Sequence, residues 1–172
     1  LHIYRGEFHT RVKFPSIQGH EFGGSIEQVG KDVADFKPGD RVVVDPIISC
    51  NACPACLTGH QNACRTLKLL GVDLDGGYGQ YVAAPASKVY HLPDNVSMKF
   101  APMVEMYGLG HHVLQRGRVQ PGESIVILGA GKLGLSVLDV LCHSTGANQT
   151  IIPDMQAFRL ETAKKLGAEH VI

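Results

Sequence analysis

Four of the five cysteines, Cys50, Cys53, Cys56 and Cys64, fall within fifteen residues, with two, two and seven residues between them. Two-residue spacers let neighbouring sulfurs turn inward together, so four thiolates can surround a tetrahedral Zn²⁺. The alternative is two disulfides, but cysteines at two-residue spacing are awkward disulfide partners, and the chain is too poor in cysteine for a secreted disulfide scaffold. A site closed by four sulfurs has no open position for substrate. The zinc would therefore be structural, holding the lobe from Ser49 to Arg65. Cys142 stands alone in an apolar stretch and is expected to be a small core residue.

A second constellation is Gly129-x-Gly131-x-x-Gly134, preceded by the apolar run Ser124–Leu128, with Asp154 twenty residues beyond its last glycine. Strand, glycine loop, helix and a following acid form the context that a dinucleotide fingerprint needs. The first glycine makes the turn, the second lets the backbone approach a pyrophosphate, and the third lets helix and strand pack closely. Leu133 belongs to the same cofactor-binding loop, and the helix N-terminus supplies amide donors and a positive dipole end. Asp154 would accept hydrogen bonds from the adenosine ribose and repel a 2′-phosphate, favouring NAD over NADP. Arg159, one helical turn on, could lie over the adenosine end or be a solvated helix charge. The bland alternative for the whole motif is an ordinary glycine turn. A third pattern, Gly19-His20-Glu21-x-x-Gly24, couples a metal-competent imidazole to a carboxylate; by itself it is more often a surface pair than a metal site.

The elements that would position these groups fall into two parts. Residues 1–98 read as short strands and turns: an alternating Ser25–Gly30, a Lys37–Asp40 turn before Arg41–Val44, a glycine turn before a Tyr78–Ala83 strand, and Val89–Leu92 stopped by Pro93. That pattern suggests a small β-barrel or sandwich. Residues 99–172 open with a helix over 101–115 and continue as β-α-β-α-β, the first half of a doubly wound parallel sheet. In the helix after the glycine loop, Leu133, Val137, Val140 and Leu141 predict one apolar face.

Composition excludes several classes. Sixteen Lys plus Arg balance sixteen Asp plus Glu, which argues against a nucleic-acid or anionic-membrane partner. Trp is absent and the hydrophobic class is 44%, a globular composition without a base-stacking platform. No apolar run approaches the roughly 18 residues of a span.

Taken in order, Gly-His-Glu-x-x-Gly, Pro-Gly-Asp-Arg-Val, the four-cysteine lobe, Gly-Gly-Tyr-Gly-Gln-Tyr and the glycine fingerprint resemble the zinc-containing medium-chain alcohol dehydrogenases, particularly the polyol dehydrogenase subgroup. The resemblance covers essentially the whole chain. It implies a GroES-like β-barrel catalytic domain (1–98) followed by an NAD-binding Rossmann domain (99–172), each partial. It also implies hydride transfer from a secondary alcohol or polyol to NAD at a catalytic zinc, with a second, structural zinc. His20 resembles the catalytic-zinc histidine and Glu21 the glutamate beside the metal. Glu105 resembles the subgroup's further zinc ligand, although Met106 replaces the usual proline and a helix-surface carboxylate is the alternative. His2 lies where the family carries a proton-relaying histidine. The mechanism implied is acidification of a coordinated alcohol by zinc, then hydride release to the nicotinamide.

Leu1 without an initiating Met, and Ile172 inside a strand, read as the ends of a piece of a longer protein, with the family's catalytic cysteine upstream of Leu1. That piece is expected to hold one tight zinc and to oxidise no alcohol by itself. The parent is expected to be a cytoplasmic homo-oligomer, a dimer or tetramer. The alternatives are a non-catalytic relative of the same fold and a zinc-ribbon-like binding module; neutral charge and the NAD fingerprint oppose the latter.

Overall fold

The computed structural model describes residues 2–8 and 10–172; Leu1 and His9, for which no role was expected, lie outside the described residues. The chain divides into two compact units, Leu1–Met103 and Val104–Ile172.

In the first unit, β1 (Gly23–Ser25), β2 (Arg41–Val44) and β5 (Val89–His91) form an antiparallel sheet in the order β1-β2-β5, and β3 (Ile47–Ile48) pairs with β4 (Lys68–Leu69). The Lys37–Asp40 turn launches β2 as the sequence predicts. Gly39 takes φ +92°, and the Asp40 carboxylate accepts the Lys37 amide at 2.9 Å. Val42, Val43 and Val44 are then all buried, and Val43 joins Leu92 and Ala101 in a small core.

Two strand expectations are corrected. The first strand stops at Ser25; Ile26 still exchanges main-chain bonds with Asp40 and Gly39, but residues 27–30 belong to no strand. Residues 78–83 are not a strand either. Their approach, Gly76–Tyr78, donates amides to Ile17, Gln18 and Gly19 carbonyls at 2.8–2.9 Å, after which the segment skirts a cavity of about 690 Å³ lined by Val42, Val44, Tyr81, Val82 and Val89. Alternating side chains suit a strand, but a strand also needs a neighbour for its amides.

The second unit is β-α-β-α-β behind a leading helix: α2 (Met103–Gly117), β6 (Ser124–Val126), α3 (Lys132–Ser144), β7 (Gln149–Ile152), α4 (Ala157–Lys165) and β8 (His170–Val171). Its strands run parallel in the order β6-β7-β8, the order in which a doubly wound sheet begins. The chain thus combines a GroES-like β unit with the start of a Rossmann sheet. Its core gathers Leu138, Leu141, Ile152 and Ala163, all at zero exposure, and each large apolar side chain there contributes about 1.5–3 kcal/mol. α4 ends at Gly167, whose φ of +108° reverses the chain.

Some details differ from the sequence reading. In β6 and the two residues after it, Ile125 and Ile127 turn toward the core while Val126 and Leu128 are exposed, because extended chain offers alternate residues to alternate faces. The buried face of α3 is Ser136, Val137, Leu138, Val140 and Leu141; Leu133 is 41% exposed and outside it. Cys142 is exposed rather than a core residue. α2 and α3 meet at Gly110, where a Cβ would lie 3.1 Å from the Ser136 carbonyl and from Val140. Beside that crossing the Tyr107 hydroxyl donates to Asp139, which pushes the phenol up to about 12. No helix among the described residues is long and apolar enough to cross a membrane.

Candidate active site and metal centres

The lobe between β3 and β4 has little regular structure: the four-residue helix α1 (Pro54–Leu57) and a 3-10 turn at Gln61–Ala63. It contains few apolar side chains to pack, so its order comes from its sulfurs. All four cysteines are free thiols, and their Sγ atoms lie within 4.8 Å of one another. Cys50 and Cys56 are 3.9 Å apart and Cys53 and Cys56 3.5 Å. A zinc bound at 2.3 Å to four sulfurs sets neighbouring sulfurs about 3.8 Å apart, so these spacings fit the metal. Main-chain amides point at the sulfurs: Cys50 N donates to Cys64 Sγ and Cys53 N to Cys50 Sγ, each at 3.3 Å. The Ala52 and Cys53 amides pull the Cys50 thiol down to about 6, and the Arg65 amide lowers Cys53. Burial pushes Cys56 up to about 11. The amides stabilise thiolates, the form a metal binds.

His20 and Glu21 immediately precede β1. Their side chains are 39% and 28% exposed, with Nε2 and Oε1 3.8 Å apart. The loop that carries them is fixed by main chain. A Cβ on Gly76 would sit 2.1 Å from the Gly19 carbonyl oxygen and one on Gly71 2.4 Å from it, while the Gly77 amide donates to that oxygen at 2.9 Å. Asp75 accepts the Ile17 amide at 2.9 Å. Nearby, Asp73 holds the Leu69 amide and makes a two-point bond with Arg11, whose guanidinium keeps the Asp73 carboxyl below its usual range. Sequence reading missed these supports; the glycine-dense stretch Gly71–Gly79 was their only signal.

In the second unit the glycine loop shows the turn and the close packing expected of its first and third glycines, and open space at the second. Gly129 takes φ +95° and donates to the Pro153 carbonyl at 3.1 Å. Gly131 caps α3, and a Cβ there would meet nothing within 4 Å. The space in front of the helix N-terminus is open to an anionic group. At Gly134 a Cβ would fall 1.9 Å from the Gly129 carbonyl oxygen, so only glycine lets strand and helix approach this closely. Asp154 follows β7 and is 8% exposed. Its oxygens accept the Gln156 and Ala130 amides at 2.8 Å each, with Arg159 at 3.5 Å. The Gln156 amide, then the Ala130 amide and Arg159, hold this carboxyl below the usual carboxylate range. Asp154 is thus a staple of the glycine loop as well as a candidate ribose acceptor, a role its spacing did not disclose. Arg159 also lies over the Phe158 ring, 5.6 Å from its centroid.

Residues 1–94 match the model of the alcohol dehydrogenase GroES-like domain. The chain belongs to this family. Among similar proteins are sorbitol dehydrogenase of Bacillus subtilis, 39% identical over 162 residues (94% of this chain, 46% of the relative), and the starvation-sensing protein RspB of Escherichia coli, 37% identical over 171 (99% and 50%). The crystal structure of rspB from E. coli CFT073 complexed with NADH superposes with a TM-score of 0.93 at 37% identity, covering 99% of this chain and 50% of that one. The chain spans about half the length of the curated relatives it matches.

Two candidates of the sequence reading remain, Glu105 and His2. Glu105 occupies the first turn of α2 and is half-buried. His2 is exposed, its ring nitrogen against Glu7 and its ring edge-on to Phe8.

Proposed function

We propose that the protein to which this chain belongs is a zinc-dependent oxidoreductase that passes hydride from a secondary alcohol or polyol to NAD. The observation that carries the reading is the Asp154 carboxylate fastened at 2.8 Å to the Ala130 amide of a glycine loop whose front is open. Such an acid, held beside the loop that receives a pyrophosphate, is suited to the ribose hydroxyls and hostile to a 2′-phosphate, which supports NAD as the cofactor.

Cys50, Cys53, Cys56 and Cys64 would hold a structural zinc. His20, Glu21 and Glu105 would serve the catalytic metal; the first two are paired in space, and Glu105 rests on the resemblance. A bound zinc lowers the pKa of an alcohol, and NAD accepts its hydride. The protein's own part is to aim the imidazole from a main-chain-braced loop, to seat the cofactor at the α3 N-terminus, and to pass a proton outward, for which His2 at the surface is the proposed terminus. The five free cysteines suit a reducing compartment, and we place the protein in the cytoplasm.

The test is NADH production by the whole protein on a panel of secondary alcohols and polyols. Activity is expected to vanish on chelator dialysis and to return with zinc. A zinc-loaded protein that reduces NAD with none of these substrates would overturn the proposal.

A further inference from the structure

The first half of α2 is poorly provided with helix-forming and core-forming residues. Gly108 and Gly110 lie within it, each about 1 kcal/mol less favourable than Ala, and none of its residues before Gly110 is fully buried. Tyr107 is the partly buried α2 side chain packed on the core cluster of this unit. Its hydroxyl donates to Asp139 Oδ2 at 2.5 Å. Asp139 is only 18% exposed, and its other oxygen faces His143 Nδ1 at 3.1 Å, so the acceptor is itself held in place. With the Gly110 crossing one turn further on, α2 is fixed to α3 at two points.

Two points determine more than a distance. Residues 105 and 107 are about 200° apart around a helix of 3.6 residues per turn, so Glu105 leaves α2 on the side opposite Tyr107. Any rotation of this turn that breaks the Tyr107 bond swings Glu105 by the same angle. At its other end, α3 begins at the glycine loop.

We propose that Tyr107 and Asp139 are positioning residues whose hydrogen bond sets the rotation of the first turn of α2 and so aims Glu105, tying the metal-binding end of α2 to the helix that carries the glycine loop. The proposal rests on Glu105 being a ligand of the second metal site.

The whole protein, with its four-cysteine site filled by zinc, is titrated with Co²⁺ and the d–d absorption of the second site is followed. Tyr107→Phe is expected to weaken Co²⁺ binding about tenfold, the loss typical of a supporting residue behind a metal ligand, and to shift the bands. Asp139→Ala should do the same from the other side of the bond. Asp139→Asn, which keeps an oxygen for the hydroxyl, should remain near the parent. Glu105→Ala should weaken binding, and adding Tyr107→Phe to it should change nothing more. If Glu105→Ala leaves affinity and bands unchanged, the ligand reading fails and the proposal with it. If Glu105→Ala weakens binding while Tyr107→Phe and Asp139→Ala do not, the proposal alone fails. A Tyr107→Phe loss that persists undiminished in the Glu105→Ala background marks a general packing role and also overturns it.

Discussion

Substituting Gly134→Ala and Gly131→Ala separates what the glycine loop does for the fold from what it does for a cofactor. At Gly134 the new methyl would lie 1.9 Å from the Gly129 carbonyl oxygen, and bringing it to 3.0 Å requires a main-chain shift of about 1 Å. The oxygen cannot swing away as a flexible side chain could, because Gly129 is tied to Pro153. Overpacking of this kind costs about 1–3 kcal/mol. For a unit of this size that corresponds to a fall in Tm of about 4–24 °C. At Gly131 the methyl meets no protein atom within 4 Å and φ is −74°, so the fold should not register it. It would stand where a pyrophosphate approaches, and NAD affinity should drop about tenfold or more, at least about 1.4 kcal/mol. Circular dichroism melting and NADH fluorescence titration of both variants are the assays. The reasoning fails if Gly134→Ala melts within about 1 °C of the parent, or if Gly131→Ala binds NADH as the parent does.

The 172-residue chain purified under reducing conditions without chelator should carry one tightly held zinc, with four sulfurs at about 2.3 Å by X-ray absorption; zinc-free protein, or a disulfide within the lobe, would contradict the four-thiolate site. Asp154→Ala should narrow the preference for NAD over NADP while loosening the loop that Asp154 staples, so both affinities are measured by titration; an unchanged cofactor ratio would remove the repulsive role given to the carboxylate. Asp73, depressed by Arg11, adds stability above the unfolded carboxyl pKa and loses it as pH falls through the lower folded value. Arg11→Ala should therefore lower stability by at most about 1 kcal/mol at neutral pH, with the difference vanishing in acid, as read from urea midpoints across pH.

Much of the site was legible in the sequence because its chemistry is local in the chain. The four cysteines sit within fifteen residues, and the strand, loop, helix and acid of the nucleotide motif are consecutive, so spacing alone orders them. What escaped reading depends on contacts across the chain. The Tyr107–Asp139 bond joins residues 32 apart, and the Arg11–Asp73 pair residues 62 apart. Residues 78–83 have a strand's composition, yet strand formation is decided by the neighbouring segment and not by the residues themselves. Leu133 fits the helical period, yet at the first turn of α3 it points past the edge of the core, and periodicity gives a direction without saying what lies there.

The bracing of the His20 loop has a further consequence. The Gly19 carbonyl is confined by the backbones of Gly71, Gly76 and Gly77, with the Asp75 carboxylate on the Ile17 amide and the Tyr78 ring against Gly19 as the side-chain supports. A substitution at Gly71, Gly76 or Gly77 would displace the loop that carries the imidazole, because each sits against the Gly19 or Phe22 part of it. The position of the imidazole is thereby set from a stretch of chain far from it in sequence, which no substitution beside His20 would reveal.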